Sequence, residues 1–528
     1  MVRHDHSFSA LIAQSTAIGS AEAICFPGTS ERLTFADWAE RAGALARGLI
    51  DLGVQPGDHV ALLSENRTEW LITQMAVAAA GAVFTPLNTH YRRDDLIVAL
   101  NQSGARAILT TEAFRSNPYL ETLLGVREEL GHLEHIITIG CTYQGLTSFA
   151  DLLAQGRTST AALPKPDPDA PGALLYTSGT TGTPKGALLT HRAMMMNAGG
   201  TALRLKITAG DRWTSIIPLF HCAGCIMNVL GGLQAGACYV GVPAFDPVLM
   251  FEVIEAERCT VLSGVPTSYL AMLDHPERCK FDLTSLRTGT CGGADCNPDM
   301  LERCASAFPI PQVCQVYGQT ETSTLIAAPE ADDPLRFSTT GPPLPGFDVR
   351  IIDPDTGGVL PPNRIGEIQA RGSMIMLGYH NQPKATAEAL IDGGWLRTGD
   401  LGLLNDTGHL VIAGGRLRDM IIRGGENIYP VEIENLLHEH PAVGSVAVFG
   451  LPDDYYGERV AAAIVALTAV TSDELTSFCR DRIARFKIPV NFFEAQAFPL
   501  TPSGKVRKTE LRDQAVCGDL PILQAARS

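Results

Sequence analysis

The feature that most constrains this chain is an alternation sustained over hundreds of residues. Short apolar runs such as "VALLS" (Val60 to Ser64), "GAVFTPL" (Gly81 to Leu87), "RAILTT" (Arg106 to Thr111), "HIITIG" (His135 to Gly140) and "TVLSGV" (Thr260 to Val265) punctuate it. Between them lie stretches with helical spacing. In "TFADWAERAGALARGLIDLG", Phe35, Trp38, Ala39, Ala42, Leu45, Ala46 and Leu49 recur on one helical face, and Thr34 is placed to cap the N-terminus. Strand–helix alternation on this scale predicts an α/β architecture. A length of 528 residues allows roughly three or four domain-sized units.

The texture changes twice. "GRTSTAALPKPDPDAPG" (Gly156 to Gly172) reads as a surface linker. From about residue 350, "DVRIIDPDTGGVLPPNRIGEIQARG" reads as short strands joined by Gly/Pro turns. Beyond residue 419, the helix "PVEIENLLHEH" and the strands "VGSVAVFG" and "RVAAAIVAL" form a compact α/β unit, which puts a domain boundary near Arg416 to Asp419.

Charge and composition exclude some functions. A net charge of −16 argues against a dedicated nucleic-acid or anionic-membrane surface. The N-terminus lacks the long apolar segment of a signal peptide, so a cytoplasmic protein is expected. The stretch from Trp70 to Asn88 is apolar enough to raise the question of a membrane span. Gln74, Gly81 and Pro86 interrupt it, and a buried helix running into a strand is the expected reading. Thirteen cysteines in so long a chain do not form a disulfide framework. "HCAGC" sets Cys222 and Cys225 in a C-x-x-C pair after His221, but no second pair completes a zinc site. Both are expected to pack as small hydrophobes.

The chemistry concentrates in "TSGTTGTPKG" (Thr177 to Gly186). It is not a Walker A loop, because Pro184 stands where that motif needs its second glycine. "ALLY" before it and "GALLTH" after it both read as strands, with a helix starting only near Thr190. The loop therefore joins strand to strand. Its glycines expose backbone N–H groups, and the hydroxyls of Thr177, Ser178, Thr180, Thr181 and Thr183 can donate to phosphate oxygens. Lys185 adds a point charge. A plain Ser/Thr/Gly surface loop is the competing reading.

"YTSGTTGTPKGALLTH" resembles the signature loop of the adenylate-forming superfamily, which includes acyl-CoA synthetases, carrier-protein adenylation domains and firefly-type luciferases. Further segments follow in that family's order: "PLFH" at Pro218, "GGA" at Gly292, "YGQTE" at Tyr317, "GEIQARG" at Gly366, "GYHNQPKAT" at Gly378, "GWLRTGD" ending at Asp400, "GRLRDMIIRGGENIYPVEIE" from Gly415 and "PLTPSGKVRK" from Pro499. Each is weak alone, but the ordered set covers nearly the whole chain. The resemblance implies a large N-terminal domain (1–417) of two α/β subdomains and a β-barrel-like subdomain. A small mobile α+β C-terminal domain (418–528) would follow, hinged near Arg418. Many relatives carry Asp or Lys at the hinge, so Arg is a modest departure.

The resemblance also assigns roles. Thr177, Ser178, Gly179, Thr180, Thr181 and Lys185 would grip the ATP phosphates. Glu321 would be the carboxylate on the Mg2+ side, and Thr320 a phosphate-contacting hydroxyl. Gly293, Ala294 and Tyr317 would form the slot for the base, Asp400 would accept from the ribose hydroxyls, and Arg416 would lie near ribose and phosphate. Lys505 would reach the acyl and α-phosphate oxygens during adenylation. Gly424 and Gly425 would line the pantetheine tunnel, and His221 would gate the acyl pocket.

The activity implied is that of an AMP-forming acyl-CoA ligase using a carboxylic acid, ATP, magnesium and coenzyme A; a homodimer is common among similar enzymes. Bringing a carboxylate to a phosphate needs positive charge and positioning, which explains the lysines and the metal. No Asp stands in "PLFHCAGC" to pair with an amine, which argues against an α-amino acid. The small residues Cys222, Ala223, Gly224 and Cys225 suggest room for a medium to bulky hydrophobic acid, with Val265 to Ser268, Gly292 and Tyr317 to Leu325 shaping the rest of the pocket. Alternatives are an enzyme loading a carrier protein, a ligase confined mainly to thioesterification, a luciferase-type oxygenase, or a non-catalytic acyl-nucleotide-binding protein.

Overall fold

The computed structural model describes residues 8–524 except 30, 166, 178–183, 295, 297, 417–418, 424–425, 429, 454–455, 481, 484 and 501–505. At 9–10, 29, 414–416, 422, 426–427 and 457 it describes the backbone alone. The chain divides into two compact units. One runs through Gly292 and adds Pro298–Asp348 and Ala370–Leu396; the other comprises Gly293–Asn297, Val349–Gln369 and Arg397 onward.

The first unit holds two sheets. The apolar runs read from the sequence supply their central strands. An eight-stranded sheet orders its strands as Gly378–Tyr379, Lys185–Thr190, Pro171–Thr177, Val83–Pro86, His59–Leu63, Ala107–Thr111, His135–Ile139 and Thr147–Ser148. It is parallel except around Lys185–Thr190, which runs antiparallel to both neighbours. A seven-stranded sheet orders Gln312–Gln315, Thr288–Cys291, Val261–Gly264, Arg212–Ser215, Cys238–Val240, Glu22–Phe26 and Glu31–Thr34, with only the last pair antiparallel. One buried apolar cluster draws on both sheets, uniting Ile24 and Tyr239 with Val60 and Leu109.

Local signals held where they were strong. The helix Phe35–Asp51 is capped by Thr34, whose hydroxyl accepts from the Asp37 N–H while Asp37 accepts from the Thr34 N–H. Trp70 to Asn88 resolves into the buried helix Thr68–Ala79 and the strand Val83–Pro86. Among the described residues no helix is long and apolar enough to cross a membrane. The linker starts later than expected. The helix Phe149–Thr158 continues through Gly156, where a Cβ would lie 1.8 Å from the Ala44 carbonyl oxygen. Two helices approach so closely there that only glycine fits.

In the second unit, strands Glu426–Ile428, Ile421–Arg423, Gly457–Ala466 and Val443–Asp453 form a sheet in that order, with Asn491–Glu494 parallel to Gly457–Ala466. Val460, Ala462 and Ile464 enter one apolar cluster while Ala461 and Ala463 enter another. Alternate side chains point to opposite faces of a strand, so a strand covered on both faces reads as an unbroken apolar run. That is why "RVAAAIVAL" shows no polar alternation.

Candidate active site

The signature loop hangs from a hairpin. Pro171–Thr177 and Lys185–Thr190 pair antiparallel, with Thr177 and Lys185 as Cα partners, and the Thr177 hydroxyl donates to the Lys185 carbonyl at 3.3 Å. The two strands fix the loop's ends. Ser178, Gly179, Thr180 and Thr181 lie outside the described residues.

Lys185 points its ammonium over the ring of Tyr379, 5.2 Å from the centroid. The Tyr379 hydroxyl donates to Oε1 of Glu321 at 2.7 Å. The candidate phosphate-side cation and the candidate metal-side carboxylate thus meet on one phenol. Tyr379 carries no role among the sequence motifs; it lies inside "GYHNQPKAT", and nothing in the spacing of that segment points to Glu321.

Glu321 sits on the 3-10 turn Thr320–Thr322. The turn ends in Ser323 at φ 57° and Thr324 at φ 130°, both in a region side chains rarely occupy. What holds it is underneath. Buried Asn197 donates to the carbonyls of Thr322 (3.0 Å) and Leu325 (2.6 Å) and accepts from the Leu325 N–H (3.1 Å). The Ser323 hydroxyl donates to the Met374 carbonyl at 2.9 Å, and the Met376 N–H to the Glu321 carbonyl at 2.8 Å. Asn197 is a second residue the sequence did not flag, because a lone Asn in a helix carries no local signal.

Thr320 and His221 converge on Cys222, whose sulfur lies 3.7 Å from the Thr320 hydroxyl and 3.7 Å from His221 Nδ1. The Ala223 N–H donates to the same Nδ1 at 3.2 Å, which places the proton of a neutral imidazole on Nε2. His221 leads into a π-helix, Ala223–Leu230, a form often found at functional sites. Cys222 and Cys225 are buried, and burial pushes the Cys225 thiol well above its usual value. Gly224 has a packing reason for its size: a Cβ there would stand 2.2 Å from the Pro218 carbonyl oxygen. Its smallness therefore answers to Pro218 as well as to any ligand. Tyr317 is buried, with its backbone N–H donating to the Ala327 carbonyl at 3.2 Å.

The second unit carries the other candidates. Gly293, at φ 81°, and Ala294 follow the strand Thr288–Cys291. Asp400 and Arg416 are Cα partners on antiparallel strands, next to a bulge that separates this pair from Gly402 and Ile412. The Asp400 N–H donates to the Thr398 hydroxyl at 3.1 Å, and that hydroxyl donates to the Ile368 carbonyl at 2.7 Å. Arg418, Gly424, Gly425 and Lys505 lie outside the described residues.

Magnesium takes oxygen ligands, commonly one or two carboxylates together with waters and phosphate oxygens. Glu321 fits that chemistry, because Tyr379 engages Oε1 and leaves the carboxylate its charge. Among the described residues no group of three or more His, Cys, Asp or Glu could hold a metal ion. A metal beside Glu321 would take its remaining ligands from water and nucleotide oxygens.

Comparison with known proteins shows the family. Residues 13–380 match the model of the AMP-binding enzyme family, and residues 432–505 match the AMP-binding enzyme C-terminal domain. The putative acyl-CoA synthetase YngI of Bacillus subtilis is 37% identical over 518 residues, 94% of each chain. A 3-[(3aS,4S,7aS)-7a-methyl-1,5-dioxo-octahydro-1H-inden-4-yl]propanoyl:CoA ligase of Rhodococcus jostii is 35% identical over 498 residues, 92% of this chain and 94% of that one. ATP-bound MatB from Rhodopseudomonas palustris superposes with a TM-score of 0.86 at 29% identity, covering 96% of this chain and 98% of that one. The chain belongs to the AMP-binding enzyme family, as an adenylate-forming acid–thiol ligase of the acyl-CoA synthetase kind.

Proposed function

We propose that this AMP-forming acyl-CoA ligase activates a medium to bulky hydrophobic acid, with the residues assigned above in the stated roles. The observation that carries the site is the meeting of Lys185 and Glu321 on Tyr379. It sets a cation and a carboxylate beside the hairpin that bears the phosphate loop.

In the first half-reaction a carboxylate oxygen of the acid attacks the α-phosphorus of ATP. The bond from that phosphorus to the pyrophosphate oxygen breaks, giving acyl-adenylate and pyrophosphate. Lys185 and the loop hydroxyls orient the leaving phosphates, and Lys505 offsets the repulsion between two anions. Magnesium held beside Glu321 would supply charge neutralisation on the phosphates. In the second half-reaction the coenzyme A thiol gives its proton to solvent, its sulfur attacks the acyl carbon, and the carbon–oxygen bond to AMP breaks. Rotation of residues 418–528 about Arg418 would exchange the two arrangements.

Two observations support the acid class. The residues after His221 are small and apolar. The Rhodococcus relative is named for a propanoyl group that bears a bicyclic ring. The test is mass spectrometry of products from a panel of aliphatic, aryl and polycyclic acids with ATP, magnesium and coenzyme A, beside wells given preformed acyl-adenylates. Acyl-CoA from a bulky free acid, with AMP release, is the expected result. Turnover confined to short or charged acids would overturn the acid class, and product from supplied adenylates alone would confine the enzyme to thioesterification.

A further inference from the structure

Tyr379 is in contact with two groups of opposite charge and is itself neutral. Its ring lies beneath the Lys185 ammonium at 5.2 Å, and its hydroxyl reaches Glu321 Oε1 at 2.7 Å. A lysine and a glutamate brought directly together would form an ion pair, and each would offset the field the other presents to a phosphate or a cation. A phenol between them prevents this. Its face attracts the ammonium, and its hydroxyl gives the carboxylate a hydrogen bond without neutralising it.

The backbone around Tyr379 is fixed from both sides. Tyr379 pairs with Ala187 across the strands, and the His380 N–H donates to the Gly186 carbonyl at 2.8 Å. Leu377 donates to Leu188 and Met376 to the Glu321 carbonyl, each at 2.8 Å. The Tyr379 N–H donates to the Thr386 hydroxyl at 2.9 Å. The segment from Met376 to His380 therefore ties the exit strand of the phosphate loop to the turn carrying Glu321. Thr386 stands seven residues further on and completes the local frame.

We propose that Tyr379 is a positioning residue that spaces Lys185 from Glu321 and holds both for a metal-bound nucleotide. It touches neither reacting atom. Its hydroxyl sets the Glu321 carboxylate, and its ring sets the Lys185 ammonium. The two contacts are chemically separable, which makes the inference testable, and it rests on the nucleotide site assigned above.

The experiment is calorimetric titration of the full chain with ATP, once with magnesium and once with EDTA, for the wild type, Tyr379→Phe, Tyr379→Leu and Glu321→Gln. Tyr379→Phe keeps the ring and loses the hydroxyl. It is expected to weaken magnesium-ATP binding about tenfold and leave metal-free ATP binding unchanged, since a hydrogen bond to a charged group has roughly that effect. Tyr379→Leu removes the ring as well and is expected to weaken both. The double variant that combines Tyr379→Phe with Glu321→Gln is expected to be no weaker than Glu321→Gln alone. Thermal melts of each variant control for folding.

Equal affinities of Tyr379→Phe and the wild type in both titrations would overturn the proposal. So would additive effects in the double variant, or parallel losses in both titrations together with a lower melting temperature. Failure of the wild type to bind ATP would overturn the underlying site reading, and this proposal with it. Normal wild-type binding with a silent Tyr379→Phe would sink the proposal alone.

Discussion

Asp400 stands opposite Arg416 as its Cα partner in an antiparallel ladder, beside a bulge formed where the Arg416 strand carries extra residues. A bulge bends a strand and re-aims its side chains, and bulges gather next to active sites. Two residues that the family resemblance gives to one nucleotide thus belong to one rung of one sheet.

Asp400→Ala should therefore weaken AMP and ATP binding by about 10- to 100-fold, the range for losing hydrogen bonds to a charged acceptor. The melting temperature should change little, because the Asp400 backbone bond to Thr398 stays. Equilibrium titration with AMP checks this. Unchanged affinity would return Asp400 to the role of a turn residue.

Lys505→Ala should separate the half-reactions. Acyl-adenylate formation should fall at least about 100-fold, as expected for loss of a charge aimed at the transition state. Thioester formation from supplied adenylate should persist. Pyrophosphate release and acyl-CoA yield, measured in parallel, decide it. Equal losses in both would remove the assigned role.

Asn197→Ala should destabilise the protein by roughly 2–4 kcal/mol, because it leaves the buried Leu325 N–H and two carbonyls without their partner. Activity should fall further than folding alone explains, since the turn bearing Glu321 loses its support. Denaturant midpoints and kcat, taken on the folded fraction, separate the two effects.

His191 gives a pH signature. It is 1% exposed, and neither ring nitrogen has a hydrogen-bond partner among the described residues. Burial pushes its pKa down to about 4, against a weaker upward pull from Asp167. The unfolded imidazole takes up a proton near pH 6.5 and the folded one does not. Stability contributed by the neutral ring is therefore whole above pH 6.5 and is lost as pH falls toward 4. Between pH 7 and 5 the loss should be roughly 2 kcal/mol. His59, also lowered to about 4 by burial and by neighbouring His380, adds a loss of the same sign. His191→Phe should shrink the difference in unfolding free energy between the two pH values. An unaltered difference would mean that His191 takes up its proton at the same pH in the folded and unfolded chains.

Much of this protein was written locally. The strand-to-strand loop from Thr177 to Lys185, the Thr34 cap and the division of Trp70 to Asn88 into helix and strand each depend on neighbours a few residues away. Periodicity and capping chemistry report such neighbours directly. The ordered motifs likewise identified the family, and the family's nucleotide chemistry came with it. Tertiary structure alone decided which of these residues meet. Tyr379 reaches Glu321 across 58 positions and Asn197 braces Leu325 across 128, through strand order and crossover packing that no short window contains. Gly224 shows the same limit from the other side. Its size reads as room for a ligand in the sequence, whereas in the fold the Pro218 carbonyl already requires it.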